Sequence, residues 1–430
     1  MDTLTPLNGK IESIIELFSS GHIIEALNTV QTLISQYPNE ALLHNISGVC
    51  YKATGQLEMG AQSFKRAVEI KSDFADAHYN LGLTLQELNQ LDDAVKCYLK
   101  ALTIKPDYAE AYNNLGVTLK DLDQLDEAVK CYEKALIIKP DYPEAHNNLG
   151  NALKNLGRAS KAVECFERML TIDPDNAEGH NNLGNTLYVL GQPNAACKSY
   201  MKALAIEPDY AEAHNNLGIT LNDLERFEDA EASYQRALAI APHFAEAYSN
   251  LGDLLTELKR LDEALVSYES AFNLKPDIIF LLGKLLHTKM HLCLWDDLSS
   301  MLDELQGKIN NNEKVIPPFP MLGLIDDPEL QRKATKIFIN KHHPKNHDLP
   351  RIALYPKHKK IRIGYFSADF REHPVAALTA ELYEVHDRGQ FEIHAFSYGP
   401  ETNDKMHLRI KAGVDHFHDV RTMSNKDVAM

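Results

Sequence analysis

Residues 107–140 read DYAEAYNNLGVTLKDLDQLDEAVKCYEKALIIKP, and this stretch decides the fold because its marker residues return along the first two thirds of the chain. Pro106, Pro140, Pro174, Pro208, Pro242 and Pro276 recur every 34 residues, as do Gly48, Gly82, Gly116, Gly150, Gly184, Gly218 and Gly252. Ala94, Ala128, Ala162, Ala196, Ala230 and Ala264 keep the same period. Each has an aromatic four residues on, at Tyr98, Tyr132, Phe166, Tyr200, Tyr234 and Tyr268, and Phe64 holds that phase one unit earlier. A further small residue follows at Ala67, Ala101, Ala135, Ala203, Ala237 and Ala271, with Met169 breaking the series. Self-similarity at this spacing means stacked supersecondary units, each unable to bury its apolar face alone.

Each unit reads as two helices. Leu115, Gly116 and Leu119 share one face of the first, and Ala128, Tyr132, Ala135 and Leu136 form the stripe of the second. Small residues open holes that a neighbouring aromatic fills, as ridges pack into grooves. Pro140 stops the second helix. Asp141 with Glu144 has capping-box spacing, repeated at Asp107/Glu110, Asp175/Glu178 and Asp209/Glu212. These residues resemble the tetratricopeptide repeat. Residues 41–278 hold seven copies in register, and 1–40 look like a degenerate one, with Ala26 and Pro38 in place but Ile14 in the glycine slot. The resemblance implies a right-handed α-solenoid (an α-α superhelix) with a concave groove. After Pro276 the register fails, since Leu286 stands where glycine is due. Residues 279–312, with Leu285, Leu298, Leu305 and the single Trp295, read as capping helices, and 313–358 as linker and bridging helix.

Charge narrows the partners. The chain of 430 residues carries a net charge of −17, and the imbalance lies in residues 1–278, with 23 Lys and Arg against 41 Asp and Glu. Residues 279–430 hold 21 against 20. Phosphate contacts need clustered cations, so nucleic acid is excluded as a partner of the repeats and protein or peptide is left. No apolar run reaches the ~18–20 residues of a membrane helix, and Met1-Asp2-Thr3-Leu4 lacks a basic signal-peptide start, so a cytoplasmic protein is expected. Cys97, Cys131 and Cys165 stand one period apart and no Cys-x-x-Cys occurs, which points to buried, reduced thiols.

An asparagine ladder precedes the Leu-Gly pairs at Asn80, Asn114, Asn148, Asn182, Asn216 and Asn250, with a second asparagine before it at Asn113, Asn147, Asn181 and Asn215. Asparagine costs roughly half a kcal/mol inside a helix relative to Ala, so its recurrence calls for a reason. By resemblance this face lines the groove, where an amide can donate to and accept from an extended peptide backbone. The alternatives are simple duplication and a hydrogen bond to the adjacent repeat. Capping accounts for the acids Glu110, Glu144, Glu178, Glu212 and Glu246, and aromatic packing for His78, His146, His180 and His214, whose slot Tyr112 and Tyr248 also fill.

From residue 359 the period changes. Residues 361–366, 391–396 and 415–420 read as strands, with helices over 375–385 and 406–411, an alternation that means a parallel sheet. No Gly-x-Gly-x-x-Gly is present, so a dinucleotide site has little support. The segment Ile361-Arg-Ile-Gly-Tyr-Phe-Ser-Ala-Asp-Phe-Arg-Glu-His-Pro374, with Phe391 to Tyr398, Asp415 to Asp419 and the bridge around Cys293 to Asp296, resembles the O-linked N-acetylglucosamine transferases and their SPINDLY-like relatives. That family moves a sugar from a nucleotide-sugar donor to protein Ser or Thr, using two Rossmann-like lobes. By motif match its active-site histidine falls on His373, as general base or as substrate positioner. An ordinary loop histidine is the alternative.

The resemblance thus implies a solenoid followed by a partial α/β Rossmann-like lobe, 359–430, in the N-terminal part of a protein O-glycosyltransferase whose repeats hold protein substrate. The donor in the complete enzyme would be UDP-N-acetylglucosamine, with fucose as the family's other sugar. Only about seventy residues follow Lys359, so a truncated, inactive product binding no cofactor by itself is expected. The alternative is a non-enzymatic adaptor. Self-association into a homodimer stays open. No metal ligands are expected, and His342, His343, His347 and His358 read as solvated linker.

Overall fold

The computed structural model describes residues 5–342, 359–400, 402–421 and 423, in two compact units, 1–337 and 338–430. His343, His347 and His358 lie outside the described residues, as do residues 424–430.

The first unit is a stack of helix pairs. In the unit quoted above, the first helix is Ala109–Asp121 and the second Leu125–Ile138. The constraint that joins them is a ring seated on a glycine. A Cβ built on Gly116 would lie 2.6 Å from the Tyr132 ring, closer than real contacts come. The same holds, at 2.6–2.8 Å, for Gly48 on Phe64, Gly82 on Tyr98, Gly150 on Phe166, Gly184 on Tyr200, Gly218 on Tyr234 and Gly252 on Tyr268. Each ring is at most 2% exposed, with the periodic alanines fully buried beside it.

Met169, the large residue in the small-residue series, has a compensating partner. Ala77, Ala111, Ala145, Ala213 and Ala247 occupy one slot of the first helices, but Gly179 stands there after Met169. The Met169 methyl lies where a Gly179 side chain would begin.

The helix ends depart from the capping-box reading. The residues before the first helices are Tyr108, Tyr142, Asn176 and Tyr210, so the aspartates fall one position too early. Of these four, only Asn176 caps through its side chain, accepting from the Gly179 N–H at 2.8 Å. Lys105 and Lys139 lie over the Tyr108 and Tyr142 rings at 4.3 and 4.4 Å. The acids are used elsewhere: Glu110 pairs with Lys139 and Glu246 with Lys275.

The histidines of that helix act as clips. The Nε2–H groups of His78, His146, His180 and His214 donate at 2.9–3.1 Å to carbonyls six residues earlier, at Ser72, Pro140, Pro174 and Pro208. Burial pushes His78 and His180 below the ordinary imidazole value, favouring the neutral ring, while the bond to the carbonyl opposes that shift.

A left-handed backbone position also returns every 34 residues, between the two helices of each pair. Gly55, Gly157 and Gly191 fill it, but so do Asn89, Asp123, Glu225 and Lys259, at φ of 56–63°. The helix end needs one residue there so that the next N–H can turn back, as Gln90 N–H does to the Leu85 carbonyl at 2.8 Å.

Beyond Pro276 the helices Leu281–His291, Leu298–Asn310, Pro318–Leu324 and Pro328–His342 follow. Leu282, Leu286, Leu305, Ile309, Val315, Ile316, Met321 and Ala334 share one core, so residues 315–334 pack with the cap. Gly283, out of register by sequence, sits against Ile316. Trp295 lies in the turn between the first two of these helices and is 54% exposed. All six cysteines are free; Cys50 and Cys197 are buried, while Cys293 is exposed, against the expectation of burial.

Among its described residues the second unit holds three parallel strands, β1 (Ile361–Ser367), β2 (Phe391–Ser397) and β3 (His416–Asp419), in that order across the sheet. Helices Pro374–Val385 and Lys405–Ala412 connect them. Ala376, Ala380, Tyr383, Ala395 and Ile410 form the core between these helices and the sheet. Among the described residues no helix is long and apolar enough to cross a membrane.

Gly116→Ala should destabilise the array by about 1–3 kcal/mol, outweighing the ~1 kcal/mol that Ala gains over Gly in a helix. Tyr132→Phe should be close to neutral, because its hydroxyl is buried without a partner; urea melts of both variants check this. Gly179→Ala and Met169→Ala should each destabilise, but the double variant by about 1 kcal/mol less than their sum, measured in a double-mutant cycle.

Candidate functional site

Two places carry the polar chemistry that the sequence singles out. The first is the inner side of the helix stack. First helices of successive pairs approach one another more closely than second helices do, so the stack curves with first helices inside.

There each of the six ladder amides donates to the preceding repeat. Asn80, Asn148, Asn182, Asn216 and Asn250 each donate, at 2.9–3.1 Å, to the side-chain oxygen of an asparagine 35 residues earlier: Asn45, Asn113, Asn147, Asn181 and Asn215. Asn114 donates instead to the Tyr79 hydroxyl at 2.9 Å, because Tyr79 fills the acceptor slot. The acceptors Asn113, Asn181 and Asn215 are buried, while the six donors remain half-buried. Asn147 and Asn181 donate onward to Glu178 and Glu212 of the next pair at 3.4 and 3.3 Å. One N–H of each ladder amide therefore staples adjacent repeats, and the second N–H is left over.

The second place is the C-terminal end of the strands in the α/β unit, where open parallel sheets bind ligands. Beyond β1, Ser367 Oγ accepts from the Asp369 N–H at 3.0 Å and turns the chain toward His373. His373 is the residue before helix Pro374–Val385, and its Nδ1 accepts from the Val375 N–H at 3.2 Å. Pro374 at the first helical position needs no hydrogen-bond partner. The neutral His373 ring consequently carries its proton on Nε2. Asp369 lies 3.6 Å from Nδ1.

The neighbouring loops are held to the His373 loop. Gly399 passes directly against the Ala368 carbonyl, where no side chain would fit. Asp404 accepts from the Glu372 N–H at 3.0 Å, the His407 N–H at 2.9 Å and the Thr402 hydroxyl. Those donors hold its carboxyl down at about 2. Buried His407 donates from Nδ1 to the Phe370 carbonyl at 2.9 Å. A cavity of about 120 Å³ opens here, lined by Ser397, Gly399, His407, Lys411, Asp419 and Arg421. No residue-type pattern in the sequence marks these six as a site, although Ser397 and Asp419 fall within segments that carry the family resemblance. Their signal was their place just beyond or beside β2 and β3.

Comparison with known proteins agrees with this division. Residues 48–157 and 175–277 match the tetratricopeptide repeat, and 143–176 match it again across the gap. Residues 333–430, which include His373, match glycosyl transferase family 41. The chain is therefore a tetratricopeptide-repeat protein whose C-terminal stretch matches a glycosyltransferase family. It resembles the O-linked N-acetylglucosamine transferases. A protein of Arabidopsis thaliana described as a probable UDP-N-acetylglucosamine–peptide N-acetylglucosaminyltransferase SEC is 30% identical over 163 residues. The match covers 34% of this chain and spans 16% of that relative's length. Among solved structures, YrrB, a TPR protein with an unusual peptide-binding site, is 23% identical with a TM-score of 0.38, covering 46% of this chain and 99% of that one. MamA is 24% identical with a TM-score of 0.36, covering 39% and 92%.

His373→Ala should lower the stability of the α/β unit by about 0.5–2 kcal/mol, and His373→Asp should recover it, as exchange at a helix N-cap does. Amide hydrogen exchange in helix Pro374–Val385 reads this out; equal protection in both variants would remove the capping role.

Proposed function

We propose that this chain is the protein-docking and first-lobe part of an enzyme that transfers a sugar from a nucleotide-sugar donor to Ser or Thr hydroxyls of proteins. The observation that carries the reading is the glycosyl transferase family 41 match over 333–430, coinciding with a sheet whose strand ends present His373. UDP-N-acetylglucosamine is the donor this favours, through the resemblance to the transferase of Arabidopsis thaliana. Protein acceptors dock along the inner face of the repeats, and the second N–H of Asn80, Asn114, Asn148, Asn182, Asn216 and Asn250 bonds their backbone carbonyls. The acidic repeats suit acceptors with basic flanks. The free thiols favour a cytoplasmic setting.

His373 takes the positioning role in this reading. Its Nδ1 is engaged by the Val375 N–H, so the ring offers a hydrogen-bond donor at Nε2, suited to a phosphate or hydroxyl oxygen. Turnover by this chain alone is not expected. The cavity of about 120 Å³ is smaller than the roughly 300–1,000 Å³ of pockets that enclose drug-sized ligands.

The test has two arms. Replacing Asn148, Asn182 and Asn216 together by Ala should weaken binding of an acceptor protein about tenfold at a temperature where circular dichroism shows the array still folded. Unchanged affinity would leave the amides as inter-repeat staples only. In the second arm the 430-residue chain is incubated with radiolabelled UDP-N-acetylglucosamine and acceptor. Product formed by the chain alone would overturn the account of an incomplete donor site.

A further inference from the structure

The sheet face opposite the two connecting helices carries a cluster that the transfer reaction does not use. Side chains alternate along a strand, so Glu392 and His394 of β2 point to that face, and so do His416 and His418 of β3. The register pairs His394 with His416. Glu392 Oε1 lies 3.3 Å from His394 Nε2 and 3.1 Å from His416 Nε2. One ligand atom from each of Glu392, His394 and His416 lies within 4.8 Å of the other two. Two ligands bound to one tetrahedral zinc at about 2.0–2.1 Å stand ~3.3 Å apart, a separation that the two carboxylate–imidazole distances already match.

The surroundings orient these groups. Arg362 Nε donates to the other carboxylate oxygen, Glu392 Oε2, at 3.1 Å, leaving Oε1 turned toward the imidazoles. His418 Nε2 is 3.1 Å from His394 Nδ1. With His394 Nδ1–H donating to His418, the lone pair of His394 sits on Nε2, the atom facing Glu392 and His416. A ligating histidine is ordinarily fixed through its second ring nitrogen in this manner. The His416 ring stacks on His394 with centroids 4.5 Å apart.

We propose that Glu392, His394 and His416 form a binding site for a zinc-class divalent cation, oriented by Arg362 and His418. Two imidazoles and a carboxylate are a borderline set that suits zinc, and three protein ligands leave a position open to water. Bound there, the ion ties β3, a strand of four residues at the end of the described sheet, to β2. This departs from the sequence expectation of no metal ligands. The sequence signal was two alternating pairs, Glu392-x-His394 and His416-x-His418, on strands that only the register brings together. The inference is independent of the glycosyl-transfer reading.

The test titrates the full chain with Zn²⁺ against a chromophoric chelator, and with Co²⁺ followed by its visible absorption. One saturable equivalent with Kd about 1 µM is expected. His394→Phe and His416→Phe, which keep the ring packing and remove the ligand, should each weaken it about 100-fold. His418→Gln should weaken it about 10–100-fold, as loss of an orienting partner does. Replacing His287 and His291, an exposed imidazole pair of the cap, by Ala should change nothing. Absence of a saturable equivalent, or one indifferent to both Phe variants while lost with the His287/His291 pair, overturns the proposal. Circular dichroism of each variant guards against unfolding, and His394→Phe and His416→Phe serve as checks on each other.

Discussion

A six-membered ring resting on a backbone with no Cβ sets the distance between the two helices of each of the seven repeats in 41–278. The first helices carry the glycine and the second carry Phe or Tyr, with contacts that leave no space for even one methyl group. This close approach is what makes each unit the same thickness as the next, and a constant thickness lets a hydrogen bond recur with constant length. The relay from Asn148 to Asn113, and from Asn182 to Asn147, repeats to within 0.1 Å. Where one unit departs from the rule, a second departure corrects it: Met169 is too large for its slot and Gly179 makes room. Stability in such a stack is a sum of unit and interface contributions, so an uncorrected misfit would weaken one interface locally.

Periodicity made most of the solenoid legible. Glycine, alanine, aromatic and proline slots read directly as helix faces and helix ends. What escaped were contacts between unlike positions. The left-handed residue between paired helices is periodic, but Asn89, Asp123, Glu225 and Lys259 disguise it because only three of its seven occupants within 41–278 are glycine. The histidine clips join a side chain to a carbonyl six residues back, and no residue-type pattern announces a carbonyl. The capping box failed by one position, since the extended residue before the helix is the tyrosine and not the aspartate.

In the α/β unit the strands and helices were readable from alternation, yet the site was only half so. His373 stood out by motif, while its bond to the Val375 N–H depends on backbone geometry at the helix start. That bond decides which ring nitrogen holds the proton, and with it what the side chain can offer a ligand. Ser397, Gly399, His407 and Asp419 converge because parallel register stacks the ends of successive strands, a relation across more than twenty residues that local sequence does not express.

The relay also determines which hydrogen-bonding groups the inner face has left. Each ladder amide has two N–H groups and one oxygen, and stapling consumes one N–H. At Asn114 and Asn216 the oxygen is taken as well, by Asn113 and Asn215 at 3.2 and 3.4 Å. At Asn80, Asn148, Asn182 and Asn250 no described group donates to it. The face therefore presents a spare donor at all six positions and an oxygen that no described group uses at four. An extended backbone lying along it would meet a spare donor and a wholly unused oxygen at Asn148 and Asn182, in adjacent units, and a spare donor beside a partly used oxygen on either side. Stapling the repeats and leaving groups for a ligand are thus compatible uses of the same side chain, and the first makes the second rigid.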